Sequence, residues 1–392
     1  MKKLYVLSIV LGQALWCNAQ VQFEEVSDTP FEGVSESSIA FADVDGDGDQ
    51  DVLITGRDKY NNLVSQLYIN DGQGDFTEKP ETPFEEVSNG AIAFADIDGD
   101  GDQDVLITGA DEVDESFTGL YTNDGEGNFT EVKDTPFEDV QFSSIAFADV
   151  DGDGSQDVLI TGIDKSFEPF AQLYMNDGEG DFTEAKQAPF EGVAFGAVAF
   201  ADVNDNGSKD IFISGVDITQ VPTARLYMND GKGNFKEEEK TPFEGVLMGS
   251  AAFADINGNG NQDVLVTGTN TSEKPTTTLY TNDGKGVFSK VPDTPFEGIS
   301  LSSIAFADVD GGGSKDLLIT GETQDIENPK PVAKLYINDG KGNFKEEGEV
   351  PFKGVNNSSI AFADVNGNGD QEVLITGSLG SIKVIAKLYS KR

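Results

Sequence analysis

An acidic, glycine-rich segment recurs seven times along this chain. The first copy runs from Phe41 to Gly56, and its leading aspartate is Asp43. Its leading aspartate returns at Asp96, Asp149, Asp202, Asp255, Asp308 and Asp364, with a spacing of 53 residues five times and then 56. A fixed period of this size is typical of arrays in which each repeat is one supersecondary unit. The repeat therefore constrains the fold more than any other feature of the chain.

The charge of the chain excludes one class of partner. Its 392 residues include 71 Asp and Glu, 26 Lys and Arg and no His, which gives a formal net charge of -45. A surface this acidic repels the phosphate backbone of DNA and RNA. We therefore expect no nucleic-acid partner.

The first 19 residues have the pattern of a secretory signal peptide. Lys2 and Lys3 precede an apolar run over 4–16, and Cys17-Asn18-Ala19 offers a cleavage site with a small residue. Lipid attachment at Cys17 is the alternative. The apolar run is too short to favour a membrane span, so no membrane insertion is expected. The pattern predicts a secreted or cell-surface protein consisting of residues 20–392.

The mature chain predicted in this way contains no Cys, Trp or His. No disulfide can then stabilise it, although exported repeat proteins often depend on such a cross-link. Bound metal ions are the expected substitute, because metal binding to a folded site adds directly to folding stability.

Each repeat contains four apolar segments of strand length, separated by Gly, Asn, Asp and Pro. In the first repeat they cover approximately 38–44, 52–55, 65–69 and 75–78. No segment has a helical period. The pattern predicts an all-β fold, namely a seven-bladed β-propeller of four-stranded antiparallel blades.

The chain ends favour a closed ring. The seventh repeat stops after its third strand, at 387–389, while residues 22–31 match residues 128–137 of an internal repeat. We expect the N-terminal strand to complete the last blade and so close the ring, because closure removes exposed sheet edges.

The acidic segment has the side chains of a calcium loop. Carboxylates occupy positions 1, 3, 5 and 9, glycine occupies position 6, and the carbonyl of position 7 adds a ligand. In the first repeat the expected ligands are Asp43, Asp45, Asp47, Asp49 and Asp51. Several oxygen ligands around one ion favour Ca²⁺, whereas Zn²⁺ prefers His and Cys. Position 12 is Ile54, so the loop is no EF-hand. An acidic turn without metal is the alternative.

The other copies differ in charge. The corresponding residues are Asp96, Asp98, Asp100, Asp102 and Asp104; Asp149, Asp151, Asp153, Ser155 and Asp157; Asp202, Asn204, Asn206, Ser208 and Asp210; Asp255, Asn257, Asn259, Asn261 and Asp263; Asp308, Asp310, Ser314 and Asp316; and Asp364, Asn366, Asn368, Asp370 and Glu372. Gly312 removes the ligand at position 5 of the sixth loop. We expect up to seven Ca²⁺ ions, bound most tightly in the first three loops and most weakly in the sixth.

These loops, together with the Leu-Tyr-x-Asn-Asp-Gly-x-Gly-x-Phe segment at 67–76, resemble the FG-GAP or VCBS-type repeat. That family builds the seven-bladed propeller heads of integrin α subunits and of many bacterial surface proteins. The resemblance covers almost all of residues 20–392. It implies Ca²⁺ between the first two strands of each blade and a role in adhesion or recognition.

The segments that differ between repeats indicate where a partner binds. The loops between the second and third strands vary, and they are expected on the rim opposite the acidic loops. Gln141-Phe142, Ala194-Phe195, Leu247-Met248 and Ser300-Leu301 form either an apolar half-ring at the mouth of a central channel or packing contacts between blades.

The sequence supports three alternative hypotheses about function. The first is a calcium-stabilised binding or adhesion module with a protein or glycan ligand. A carbohydrate-binding lectin is the alternative, although the mature chain lacks the Trp that often stacks on sugars. A polysaccharide-active enzyme is the third, but the mature chain lacks His, thiols and a Gly-x-Ser-x-Gly elbow. We therefore expect no enzyme and no catalytic residue.

Overall fold

The computed structural model describes residues 21–186, 188–323, 329–380 and 383–392. The predicted signal peptide at 1–19 lies outside these residues. Within them the secondary structure consists of β-strands, without a helix, so the predicted all-β class is confirmed. The described residues accordingly contain no helix that could cross a bilayer.

The strands form seven groups along the chain, most of which have four members. They are β1 (Phe23–Glu25), β2 (Ser35–Ala42), β3 (Asp51–Arg57), β4 (Leu63–Asn70), β5 (Phe76–Glu78), β6 (Ile92–Ala95), β7 (Asp104–Ala110), β8 (Ser116–Asn123), β9 (Phe129–Glu131), β10 (Val140–Ala148), β11 (Asp157–Asp164), β12 (Pro169–Asn176), β13 (Phe182–Glu184), β14 (Val198–Ala201), β15 (Asp210–Val216), β16 (Pro222–Asn229), β17 (Phe235–Glu237), β18 (Val246–Leu247), β19 (Ala251–Ala254), β20 (Asp263–Asn270), β21 (Pro275–Asn282), β22 (Phe288–Lys290), β23 (Ile299–Ala307), β24 (Asp316–Thr323), β25 (Lys330–Asn338), β26 (Phe344–Glu346), β27 (Asn356–Ala363), β28 (Glu372–Ser378) and β29 (Val384–Lys391).

We call the repeats units 1 to 7, beginning at β2, β6, β10, β14, β18, β23 and β27. Neighbouring strands within a unit pair antiparallel, as in β2–β3–β4–β5, except that β18 and β19 of unit 5 both pair with β20. Short bridges join units 2 and 3 into one eight-stranded sheet and units 4 to 6 into a thirteen-stranded sheet. The fourth sheet has the order β1–β29–β28–β27, in which Phe23 pairs with Lys391 and Glu25 with Tyr389.

The core lies between adjacent units, because alternate residues of each second strand face opposite sides. Val52 and Ile54 of β3 pack in a cluster with Val365 and Leu374 of unit 7. The intervening Leu53 packs in the cluster of unit 2. Each second strand therefore belongs to two cores and holds two neighbouring units together.

The Pro-Phe pairs contribute an aromatic cluster to each interface. The Phe31 ring lies 5.0 Å from the rings of Tyr68 and Phe76, edge-on to Tyr68. The Tyr68 hydroxyl accepts a hydrogen bond from the Glu32 backbone N–H at 3.1 Å. The buried tyrosine therefore connects the third strand of the repeat with the Pro-Phe segment that precedes its first strand.

A single residue type decides the length of the first strand. Units 1, 3, 6 and 7 have first strands of eight or nine residues that contain a bulge. Units 2, 4 and 5 instead place Gly90, Gly196 and Gly249 against the second strand. A Cβ atom on Gly90 would lie 1.7 Å from the Thr108 carbonyl oxygen, so only glycine permits this approach.

The two ends of the units carry different segments, and we call them the loop face and the hairpin face. The loop face carries the acidic loops between first and second strands, such as 43–50 in unit 1. The hairpin face carries the turns between second and third strands, such as 58–62.

Candidate metal centre

Each acidic loop joins the first strand of a unit to the second. In unit 1 it follows Ala42 at the end of β2 and leads into Asp51 at the start of β3. Gly48 has a φ of 94°, in the left-handed region, while a Cβ atom there would meet no other atom within 4 Å. Glycine is therefore needed at position 6 for the turn rather than for space.

The first position organises the backbone of the loop. The two Asp43 carboxylate oxygens accept hydrogen bonds from the N–H groups of Gly46 and Gly48, at 2.8 and 3.0 Å. The bond from position 6 to position 1 recurs in all seven loops, at 2.7 to 3.2 Å. The loop is thus folded around its first carboxylate by its own amides.

Three carboxylates per loop converge in four units. The sets are Asp43, Asp45 and Asp51; Asp96, Asp98 and Asp104; Asp149, Asp151 and Asp157; and Asp308, Asp310 and Asp316. Within each set one oxygen of every residue lies within 4.8 Å of the others. Oxygens at about 2.3–2.6 Å from one Ca²⁺ can be at most about 5 Å apart, so each set can share one ion.

Position 5 has a different local role from positions 1, 3 and 9. The Asp47 carboxylate accepts a hydrogen bond from the Asp49 N–H at 3.0 Å. Equivalent bonds join positions 5 and 7 in five further loops, at 2.6 to 2.9 Å. In loop 6 Gly312 has no side chain to make this bond. Position 5 therefore holds the position-7 amide in place.

Two carboxylate oxygens at these sites have no protein partner. Asp45 Oδ1 and Asp308 Oδ1 are buried and make no hydrogen bond with any described residue. A buried carboxylate oxygen without a donor carries a large desolvation cost unless a cation compensates it. The residues present therefore fit an oxygen-coordinated cation between positions 1, 3 and 9.

The carboxylate at position 9 is buried, whereas those at positions 1 and 3 are at least partly exposed. Asp51 is fully buried and accepts hydrogen bonds from the N–H groups of Val44 and Asn70, at 2.9 and 2.8 Å. Burial nevertheless raises the pKa of Asp51 to about 6. The same cause raises the pKa to about 6 at Asp104, Asp157, Asp210 and Asp316.

The remaining loops contain amides in place of carboxylates. In loop 5 the Asn257 side-chain N–H₂ donates to the Asp263 carboxylate at 2.9 Å. In loop 7 Asn366 donates in the same way to Glu372 at 3.0 Å. An amide hydrogen thus partly satisfies the position-9 carboxylate in loops 5 and 7, which have fewer charges to attract an ion.

One residue that connects the loops was not among the predicted site residues. The first asparagine of the Asn-Asp-Gly turns reaches into the preceding unit. Asn123 Nδ2 donates to the Val44 carbonyl at position 2 of loop 1, at 2.8 Å, and also to the Gln103 carbonyl of its own loop at 3.2 Å. The equivalent contacts join Asn70, Asn176, Asn229, Asn282 and Asn338 to Val365, Ile97, Val150, Val203 and Ile256. The recurrence of this asparagine in six units was the available signal.

Unit 7 departs from this pattern. Lys391 occupies the register position of the asparagine, two residues after Tyr389. Its ammonium group lies 2.7 Å from an Asp370 carboxylate oxygen of loop 7. The positively charged side chain of Lys391 therefore lies beside the seventh loop.

Comparison with known protein families supports the assignment of a repeated unit. A family model described as an FG-GAP-like repeat matches residues 43–107, 113–160, 149–213, 255–319 and 308–375. No curated protein matches the chain.

Several solved structures are similar to this one. AofleA from Arthrobotrys oligospora is 14% identical, with a TM-score of 0.46 over 83% of this chain and 89% of its own. The Aleuria aurantia lectin, a six-bladed β-propeller that recognises fucose, is 10% identical, with a TM-score of 0.44 over 82% and 98%. The rhamnogalacturonan lyase of Bacillus licheniformis is 14% identical, with a TM-score of 0.44 over 95% and 76%.

The family matches together span more than half of the chain, and they coincide with the units that carry the acidic loops. This chain belongs to the FG-GAP-like repeat family.

Proposed function

We propose that this protein is a calcium-binding, seven-bladed β-propeller that acts outside the cell as a non-catalytic binding or adhesion module. Each unit forms one blade, and the N-terminal strand completes the seventh. A protein or glycan ligand binds on the hairpin face. The extracellular location rests on the predicted signal peptide at 1–19.

Three contacts between the chain ends support the closed ring. β1 pairs with β29 over Phe23–Glu25. The Asn70 side chain of unit 1 donates to the Val365 carbonyl of unit 7 at 2.8 Å. The hydroxyls of Ser37 and Thr376 are also 2.8 Å apart.

The observation that carries the calcium proposal is the unpartnered Asp45 Oδ1 within a cluster of three carboxylates. Carboxylates this close repel one another and resist ionisation unless a cation neutralises them. Burial, followed by repulsion from the neighbouring Asp47, raises the pKa of Asp45. Asp43, Asp45 and Asp51 would hold the ion, with Asp47 and the carbonyl of Asp49 completing the loop.

The binding role is supported by the contrast between the two faces. The loop face repeats one arrangement seven times, whereas the turns of the hairpin face differ from unit to unit. Divergent loops on a rigid scaffold are the usual location of recognition residues. A lectin remains the alternative proposal, and a polysaccharide-active enzyme has less support because the clustered carboxylates fit an ion.

Calorimetric titration of the mature protein with CaCl₂ tests the proposal, with thermal unfolding recorded in calcium and in chelator. We expect saturable binding of up to seven ions, one per loop, and a large fall in melting temperature on chelation. Asp45→Asn should weaken the binding of one ion, because it gives loop 1 the amide that loops 4, 5 and 7 carry at position 3, while Asp71→Asn, the same charge change in a turn outside the loop, should leave the titration unchanged. Unchanged unfolding in chelator together with no calcium binding would refute the proposal.

A further inference from the structure

A ring of strained residues lies at the hairpin face. Every unit places one non-glycine residue in the left-handed region at the start of its first strand, with φ between 46° and 54°. These residues are Glu36, Asn89, Phe142, Phe195, Met248, Leu301 and Asn357. This conformation is uncommon for residues with a Cβ atom and unfavourable for bulky side chains. Strained backbone of this kind concentrates at functional sites.

A chain of backbone hydrogen bonds links these residues from unit to unit. The Asn89 N–H donates to the Glu36 carbonyl at 2.9 Å, and the Phe142 N–H to the Asn89 carbonyl at 2.6 Å. The series continues with Phe195, Met248 and Leu301, each donating to the preceding member at 2.6 to 3.1 Å. The amides of these five residues are thus each engaged by the backbone of the preceding member.

The seven side chains line one cavity of about 430 Å³, which we call the mouth. Phe142, Phe195, Met248 and Leu301 come from four consecutive units and form its apolar half. The Phe142 and Phe195 rings contact each other, with centroids 4.4 Å apart. The predicted half-ring therefore packs against itself and also lines an open cavity, in which Met248 is 40% exposed.

The opposite half of the mouth is polar, and its Asn89 and Glu36 side chains already have protein partners. The Asn89 side chain donates to the Glu36 carboxylate at 3.0 Å, and Arg57 forms an ion pair with Glu36 at 3.2 Å. Within the mouth, the apolar lining is therefore on the side of Phe142, Phe195, Met248 and Leu301.

The hairpin face also exposes several apolar side chains. Among the described residues seven large hydrophobic side chains are exposed, and six of them lie on the hairpin face. They are Tyr60, Val113, Phe167, Ile218, Val221 and Met248, whereas Val287 lies on the loop face. Exposed apolar and aromatic side chains gathered on one face indicate a protein–protein interface.

The same hairpins are acidic. Residues 58–62, 111–115, 164–168 and 217–221 of units 1 to 4 contain eight Asp and Glu and two Lys. A complementary partner surface therefore carries basic residues around its apolar side chains.

We propose that the mouth is an anchor pocket for an apolar side chain of a polypeptide partner, and that basic residues beside this side chain pair with the hairpins of units 1 to 4. The inference rests on the proposed function, because it requires the seven units to surround one cavity. A buried central anchor with a polar surround is the usual arrangement of a strong contact between proteins.

A displayed library of random peptides, selected on the calcium-treated protein, tests this proposal. Binders should combine one large apolar residue with adjacent Lys or Arg. Synthetic versions measured by fluorescence polarisation should bind about tenfold more weakly when the apolar residue becomes Ser. Binding should also weaken as salt rises, because the hairpin charges are exposed.

The chain itself suggests the matched variants. Asn occupies the equivalent positions in units 2 and 7 and tolerates the left-handed backbone, so Phe195→Asn and Met248→Asn should preserve the fold. Each should weaken peptide binding about tenfold or more, while Val287→Asn on the loop face should not change it. Thermal unfolding and calcium stoichiometry should match the unmodified protein in all three variants.

Three results would overturn the inference. One is the absence of any peptide that binds below about 1 mM. Another is peptide binding that is unaffected by Phe195→Asn and Met248→Asn. The third is binding of neutral oligosaccharides that these variants abolish, which would assign the mouth to a glycan. If calcium binds but peptides do not, this inference alone fails; if calcium does not bind, the proposed function fails.

Discussion

The side-chain amide of Asn70 donates a hydrogen bond to the carbonyl oxygen of Val365, 2.8 Å away, although 295 positions separate the two residues. Val365 is position 2 of loop 7, and Asn70 is the last residue of the third strand of unit 1. The contact is the same one that joins Asn123 to Val44 and Asn176 to Ile97 in successive units. Each asparagine thus supports the acidic loop of its own unit and that of the preceding unit.

Removing one of these amides should weaken two loops together. Asn123→Ala deletes the bonds to Val44 and Gln103, so we expect a loss of about 1–3 kcal/mol in the free energy of unfolding, since buried carbonyls lose their donor. Calcium affinity should fall at loops 1 and 2. Denaturant unfolding and calorimetry measure these effects. Asn128→Ala is the control, because exposed Asn128 bonds only within its turn. Equal effects of the two substitutions would contradict the prediction.

Restoring position 5 of loop 6 should improve its calcium affinity. Gly312→Asp adds a carboxylate beside Asp308, Asp310 and Asp316 and supplies an acceptor for the Ser314 N–H, as Asp153 does for Ser155. We expect about a tenfold gain at the weakest site, read from the last phase of a calcium titration. Gly348→Asp adds the same charge where a Cβ atom meets nothing within 4 Å, and should leave the titration unchanged.

The metal-free protein should lose stability as the pH rises. Burial raises the pKa of Asp51 from 3.8 to about 6, and the equivalent aspartates of four other loops behave alike. Because the folded pKa lies above the unfolded one, the contribution is fully present below pH 3.8 and is lost as the pH rises through about 6.

Excess calcium should reverse this dependence of stability on pH, because the ion binds ionised carboxylates. Thermal unfolding at pH 5 and pH 7, in chelator and in calcium, makes the comparison. A metal-free protein that is more stable at pH 7 than at pH 5 would show that the position-9 carboxylates do not control its stability.

Gly90 should tolerate no larger residue. In Gly90→Ala the new Cβ atom would meet the Thr108 carbonyl oxygen at 1.7 Å, so the first strand of unit 2 must move. We expect a loss of about 1–3 kcal/mol or more in the free energy of unfolding, measured with denaturant. Gly348→Ala, in open space, should be nearly neutral. Similar midpoints for both variants would indicate that unit 2 adapts.

The pairing of the chain ends can be tested by cross-linking. Glu24 and Ser390 are opposite each other in β1 and β29, and cross-strand neighbours have Cβ atoms about 4.5–5.5 Å apart. Glu24→Cys with Ser390→Cys in the mature chain, which has no other cysteine, should form an intramolecular disulfide under mild oxidation. Mass spectrometry detects the bond. Asp28→Cys with Ser390→Cys should remain reduced, and oxidation of both pairs to the same extent would argue against this pairing.

Local features of this protein were readable from the sequence because they depend on neighbouring residues. The period of 53 residues predicted the seven units, and alternating apolar residues predicted strands such as β2 and β3 within a few positions. Asp43, Asp45 and Asp51 also lie within nine residues of one another, so a glycine turn is enough to bring their carboxylates together.

Tertiary structure decided the features that depend on contacts between units. The bonds from Asn123 to Val44 and from Asn70 to Val365 join residues 79 and 295 positions apart, and no local pattern specifies them. The short first strand of unit 2 likewise depends on how closely Gly90 approaches Thr108. The mouth exists only where seven units meet, since one strained residue from each cannot enclose a cavity by itself.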